Sequence, residues 1–211
     1  YYYEVYDSSG ILVAAGKYNI ERGASQPPGG FNVRVKVSFI SEVPVRNSAT
    51  RGYIVVKDVK FIDGQKRDVK YNFTIVNGVM KIQGRLPLSY PYPVEIYVTH
   101  VKIGEQEVPV KGGQILVYRG NTTALTAGLD FAELGLTGVV SISAVDSTGT
   151  PRSDWTVQVL YGDIVVKEGR GNLTAVLPRT DVLDRLYTVK VVTNAFTPEG
   201  KALVKEQALE V

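Results

Sequence analysis

The 211-residue chain has no cysteine, one methionine (Met80), one histidine (His100) and one tryptophan (Trp155). Each scarcity closes a class of chemistry. Without cysteine there is no disulfide framework, thiol nucleophile or thiolate metal site. A lone imidazole has no partner with which to share a zinc, copper or haem centre. A hydrolase triad would need His100 as its base, and no Gly-x-Ser-x-Gly elbow accompanies it. No apolar run approaches the roughly 20 residues that span a bilayer; the longest, such as residues 11–15, are strand-sized. No phosphate-cradling loop is present, because neither Gly29-Gly30 nor Gly112-Gly113 leads into a helical pattern. Charge is sparse and mixed: 24 basic and 21 acidic residues give a net charge of +3. The one short basic cluster, Lys66, Arg67 and Lys70, is interrupted by Asp68, whereas a nucleic-acid binder concentrates basic charge on one face. No catalytic residue, cofactor, metal, nucleic acid or membrane span in the mature chain is expected.

The chain begins at Tyr1 rather than Met, from which removal of a secretory leader is expected. A thiol-free, methionine-poor composition suits hot or oxidising surroundings. With only 21 % charged residues, much of the surface falls to Ser, Thr and the 13 tyrosines. Secretion to the cell surface or beyond is the expected location.

What the chain does have is a period of two. Residues 31–39 alternate apolar and polar without a fault, the mark of a strand with one buried face. Residues 53–61 repeat the pattern less strictly. Residues 69–76, 94–101 and 114–118 follow, separated by Asp63-Gly64, Asn77-Gly78 and Gly112-Gly113. Asn77-Gly78 predicts a two-residue hairpin joining 69–76 to 79–85. One helical turn is expected over 127–134, ahead of Gly135. Beyond Thr137, strands are expected at 139–145, 155–161, 164–168, 172–177, 187–193 and 201–211.

The fold class expected is all-β: two β-sandwich domains, Ig-like or jelly-roll-like, preceded by an extended amino-terminal segment. The boundaries are 1–30 for a donor strand and linker, 31–135 for a larger sandwich, and 136–211 for a small Ig-like one. Within the last, Val145, Asp146, Gly149 and Pro151 precede an apolar strand, followed by Leu177-Pro178 and residues 187–192. This resembles the transthyretin-like or carboxypeptidase-regulatory-like sandwich, although Arg152-Ser153-Asp154-Trp155 replaces the usual glycine-small-small approach to the second strand. The resemblance implies a passive structural module.

The amino terminus suggests how such a module is used. Residues 1–6 and 11–18 read as extended segments around Asp7-Ser8-Ser9-Gly10, and 22–30 (Arg-Gly-Ala-Ser-Gln-Pro-Pro-Gly-Gly) read as a joint. A β-segment on a joint is the layout of a subunit that lends a strand to its neighbour; packing on its own domain is the alternative. Tyr1, Tyr3, Val5, Ile11, Val13 and Tyr18 are the expected contacts with another copy. In layout the chain resembles the thread or bundling-pilus subunits of hyperthermophilic archaea, which implies an extracellular filament built by donor-strand exchange and serving adhesion or biofilm. An S-layer or carbohydrate-binding surface module is the alternative, with Tyr90 and Tyr92 as its aromatic platform.

Three sequons, at Asn72, Asn121 and Asn172, mark expected N-glycans, with Asn72 facing away from Tyr71 and Phe73. Glu95, Glu105, Glu107 and Glu133 read as solvent-facing rather than as a glycosidase pair. Asp146-Ser147-Thr148-Gly149 and the carboxylates Asp181 and Asp184 match no calcium loop. A Lys–Asn amide cross-link would draw on Lys57, Lys60 or Lys190 and on Asn32.

Overall fold

The computed structural model describes residues 1–19, 34–46, 48–131 and 135–211. The linker 22–30, Asn32 and Glu133 lie outside them. The chain is all-β. In order the strands are β1 (Tyr2–Tyr6), β2 (Leu12–Lys17), β3 (Phe39–Arg46), β4 (Ala49–Lys60), β5 (Lys66–Val76), β6 (Val79–Pro87), β7 (Pro93–Ile103) and β8 (Gln106–Pro109). Then come β9 (Ile115–Asn121), β10 (Leu129–Asp130), β11 (Thr137–Ser143), β12 (Thr156–Tyr161), β13 (Ile164–Arg170), β14 (Asn172–Pro178), β15 (Tyr187–Phe196) and β16 (Ala202–Leu209). The helical pieces among the described residues are short 3₁₀ turns, and no helix is long and apolar enough to cross a membrane.

Four sheets result. β1 pairs with β2; an eight-stranded sheet runs β10-β3-β6-β5-β4-β7-β8, with β9 also on β7; β11 pairs with β14; and a four-stranded sheet runs β13-β12-β15-β16. The strands are rich in Val, Ile, Thr and Tyr, whose branched or planar side chains fill a pleated face. The turns carry the chemistry that reverses the chain. Between β5 and β6, Val76 pairs with Val79, while Asn77 and Gly78 both take positive φ (51° and 74°), the primed geometry that a two-residue hairpin needs.

Two expectations fail for identifiable reasons. Residues 34–38 keep an alternating exposure but belong to no ladder, and β3 begins only at Phe39. Bonds to residues 88–89 hold that approach: the Leu88 amide donates to the Ser38 carbonyl (2.8 Å), the Ser38 amide donates to Ser89 Oγ (2.7 Å) and Ser89 Oγ donates to the Lys36 carbonyl (3.3 Å). Of the helical turn expected over 127–134, residues 132–134 lie outside the described residues, and the described part is not helical beyond Ala127. Asn121 caps a 3₁₀ turn over Thr122–Ala127 by accepting from the Ala124 amide, Gly128 ends it at φ 87°, and Leu129–Asp130 is already strand. The looser alternation of 53–61 has its own cause. Asp58 sits at φ 52°, and across it the buried set switches from Ile54 and Val56 to Val59.

The chain divides into two compact units. The first comprises Tyr1–Val45, Tyr53–Tyr97 and Tyr118–Leu129; the second comprises Arg46–Gly52, Val98–Val117 and Asp130–Val211. Leu12, Ile54, Phe73, Met80, Leu86 and Ile96 are fully buried in the first. In the second, Val157, Val159 and Tyr161 of β12 and Leu173, Ala175 and Leu177 of β14 turn inward. Tyr187 opens β15 fully buried, and its hydroxyl donates to the Pro178 carbonyl (2.9 Å).

The hairpin between β5 and β6 yields a prediction. Gly78→Val places a β-branched residue at positive φ, with its Cβ 3.4 Å from the Val45 carbonyl oxygen. A loss of about 1–2 kcal/mol is expected, read as a lower urea midpoint, whereas Asn77→Gly should leave the midpoint nearly unchanged.

Candidate functional site

The amino-terminal hairpin is the candidate site, and Asp7 shapes it. The Asp7 carboxylate accepts from the amides of Ser9 (2.8 Å) and Ile11 (3.0 Å), while Gly10 at φ 78° donates to the Asp7 carbonyl. Beyond this turn β2 runs antiparallel to β1, with Tyr3 opposite Gly16. The Tyr3 ring lies over Gly16, where a Cβ would fall 2.4 Å from the Tyr3 hydroxyl, so a bare glycine makes room for the aromatic ring.

The hairpin is anchored within its own unit. Ile11, Leu12, Val13 and Ala14 are buried. Ile11 bridges to Phe61, and the Ile62 amide donates to the Gly10 carbonyl (2.8 Å). The buried Tyr92 hydroxyl donates to the Leu12 carbonyl (2.7 Å). Lys60 pairs with Glu4, whose carboxylate also accepts from the Tyr6 hydroxyl (2.6 Å). The Lys60 ammonium, followed by the Tyr6 hydroxyl, holds the Glu4 carboxyl below the ordinary value. The same bonds to Glu4 raise Lys60 and Tyr6.

Of the six residues expected to meet another copy, Ile11 and Val13 are therefore taken up in the chain's own unit. Tyr3, Val5 and Tyr18 are half-buried, and Tyr1 is 71 % exposed while its ring stacks on Tyr18 at 5.5 Å. What stays open is the outer edge of β1. Tyr1 and Tyr18 exchange both main-chain bonds (3.0 and 3.1 Å). In an antiparallel pair such residues alternate with ones whose peptide groups point outward. Tyr3 and Val5 therefore face β2, while Tyr2 and Glu4 turn their N–H and C=O groups away from it. Among the described residues no strand pairs with that edge.

The other candidates are scattered. Asn72, Asn121 and Asn172 are all exposed. Asn121 is a helix cap at the end of β9 rather than a plain turn residue. Tyr92 is 2 % exposed and tilted against Tyr90, so the pair forms a packed contact and no flat platform. His100 is half-buried on β7, its Nδ1 2.9 Å from Thr99 Oγ1. Glu95, Glu105 and Glu107 form ion pairs with Arg119, Lys102 and Arg51. Lys57, Lys60 and Lys190 pair with Asp68, Glu4 and Glu206, while Asn32 lies outside the described residues. Asp146 spends its Oδ1 on the Thr148 and Thr150 amides and the Thr148 hydroxyl. No group of carboxylates or imidazole that could hold a metal ion occurs among the described residues. Sequence reading missed the anchors Lys60 and Tyr92. Tyr92 lies 80 positions from its acceptor, and nothing local signals such a bond.

Comparison with family models, curated proteins and solved structures returned no match.

Two outcomes follow for the anchor. Tyr92→Phe removes the hydroxyl that donates to the buried Leu12 carbonyl and should cost about 1–3 kcal/mol, read by urea unfolding. Burial also pushes Tyr92 and Tyr161 up to about 12, above the value of about 10 for a free phenol. Between those values the unfolded chain has lost protons that the folded chain keeps, so stability falls as pH rises through that window. Tyrosinate absorbance and circular dichroism should show exposed tyrosines ionising first and unfolding setting in between about pH 10 and 12. Complete ionisation near pH 10 with an unchanged fold would contradict the assignment.

Proposed function

We propose that this chain is a structural subunit of a secreted, cell-surface or extracellular filament that grows by β-strand donation between copies. The observation that carries the reading is the open outer edge of β1 on an anchored hairpin. An extended segment with unpaired N–H and C=O groups adds readily to another sheet, and main-chain bonds supply affinity without any special side-chain chemistry. Tyr1 and Tyr2, at 71 % and 78 % exposure, add aromatic surface beside that edge. The anchoring of Ile11–Ala14 refines the expected exchange: the hairpin stays on its own body and offers β1 outward.

The carboxyl-terminal residues 136–211 act in this reading as a small Ig-like sandwich. Its support is the inward burial on β12 and β14, together with the bond from Tyr187, at the start of β15, back to Pro178. The exposure of all three sequon asparagines supports N-glycans on the outside of the polymer. The surface-module alternative loses its aromatic platform to the burial of Tyr92.

Tyr2→Pro is a clean test. It deletes an outward N–H while leaving the bonds between β1 and β2 in place, as edge strands allow. The wild-type chain should assemble into filaments under negative stain with increasing concentration. The variant should keep the same thermal midpoint and assemble about tenfold less well, one main-chain bond being worth roughly that factor. A wild-type chain that stays monomeric, or equal assembly of both proteins, would overturn the reading. Intact mass of protein from its natural source should also exceed the sequence mass by whole glycans on Asn72, Asn121 or Asn172.

A further inference from the structure

A donated strand needs an acceptor, and the second unit carries one. β11 and β14 form a sheet of only two strands, while the sheet β13-β12-β15-β16 has four. The mismatch leaves part of the wider sheet's inner face uncovered. Val157 and Val159 of β12 are fully buried, yet Val191 and Val189, directly opposite them on β15, are only half-buried, and so is Ile142 of β11. Ile142, Val189 and Val191 line an open crevice of ≈ 460 Å³ that Trp155, Lys205 and Gln207 also border.

Among the described residues no strand pairs with the outer edge of β11, which lies beside this crevice. The Arg179 amide donates to the Leu136 carbonyl (3.0 Å), and the Ala144 amide donates to the Gly171 carbonyl (2.7 Å). Both pairs continue the β11–β14 register in which Val140 meets Ala175. The even-numbered residues of β11 therefore bond to β14, and Thr137, Val139, Ser141 and Ser143 point their peptide groups outward. Sheet edges are ordinarily guarded by charge, proline or a bulge. Residues 137–145 carry no charge and no proline, and their pairing with β14 runs without a register shift. The opposite edge, on β14, is interrupted by Pro178 and carries the Asn172 sequon.

We propose that the free edge of β11 and its crevice accept β1 of a second copy; this rests on the filament reading above. Parity dictates the match. Outward peptide groups on β1 belong to Tyr2 and Glu4, and on β11 to Val139, Ser141 and Ser143, so an antiparallel pair must set even residues of β1 against odd residues of β11. Side chains opposite each other share a face. Tyr1, Tyr3 and Val5 then fall on the inner side with Val140 and Ile142, over Val189 and Val191. The charged Glu4 falls on the outer side with Val139 and Ser141. An aromatic strand face also complements Lys205, because an ammonium is drawn to ring faces. Donor and acceptor are different surfaces, so the contact is head-to-tail and propagates into an open chain rather than closing a dimer.

The absence of cysteine makes cross-linking decisive. Full-length Tyr3→Cys protein is mixed with full-length Val140→Cys or Ile142→Cys protein under mild oxidation. A mixed disulfide is expected in one of these mixtures and none with Ser141→Cys, which has the wrong parity. Amide exchange on the unmodified chain gives a second measurement: in polymer relative to monomer, Tyr2, Glu4, Val139 and Ser141 should exchange at least about tenfold more slowly. Filaments that form with no mixed disulfide and no protection at Val139 and Ser141 would overturn this acceptor while leaving strand donation standing. Absence of filaments altogether would overturn both.

Discussion

A strand has two hydrogen-bonding edges, and a sheet assembled from one chain must leave two of them unmatched unless it closes on itself. That constraint governs this molecule. No disulfide relieves it and no cluster of metal ligands occurs among the described residues, so stability rests on ladders and on apolar faces packed behind them. Where ladders stop, the chain uses local devices. The Asp7 carboxylate satisfies two turn amides, Ser89 holds the approach to β3, and Asn121 caps a 3₁₀ turn. Most termini are dealt with in this way. Among the described residues several end strands keep an unpaired edge, β1, β11, β13 and β16 among them.

The edges of β1 and β11 differ in how their surroundings are built, and in the proposed filament that difference suits them to donor and acceptor roles. β1 is held in place from behind. Its partner β2 is buried, Tyr92 bonds to Leu12, and Lys60 ties Glu4. The Glu4–Lys60 pair is solvent-exposed and contributes little on its own; the buried apolar run 11–14 is the stronger anchor. β11 borders an incompletely covered face, with Val189 and Val191 half-exposed where their neighbours on β12 are sealed. One edge projects from a filled body and the other flanks an unfilled one. Complementarity of that kind is what a repeating head-to-tail contact requires.

Much of the strand pattern was legible in advance because period-two alternation is a local consequence of the pleat. The β5–β6 hairpin was readable for a further local reason, since Asn-Gly tolerates the positive φ that its turn demands. Residues 34–38 show the limit. They alternate, yet among the described residues they join no named strand and are held only by bonds from Ser38 and Lys36 to residues 88–89; alternation reports a buried face rather than a paired edge. A 3₁₀ turn upstream of the expected one, over Thr122–Ala127, was not read from the sequence. Asn121 as its cap and Gly128 as its stop fix where that turn lies. The candidate site was half legible: the extended tyrosine-rich segment could be seen, its anchoring could not.

Sequence alone determined that this protein is rich in strands, that it has no thiol, and that its turns fall where Gly, Asn and Asp allow. These properties depend on residue type and on neighbours a few positions away. Tertiary structure decided which strand edges remain open, which way Tyr2, Glu4, Val139 and Ser141 turn their peptide groups, and that Tyr92 serves as an anchor rather than a surface platform. Those outcomes depend on which strands come to lie side by side, and pairing partners tens of residues apart leave no local trace in the chain.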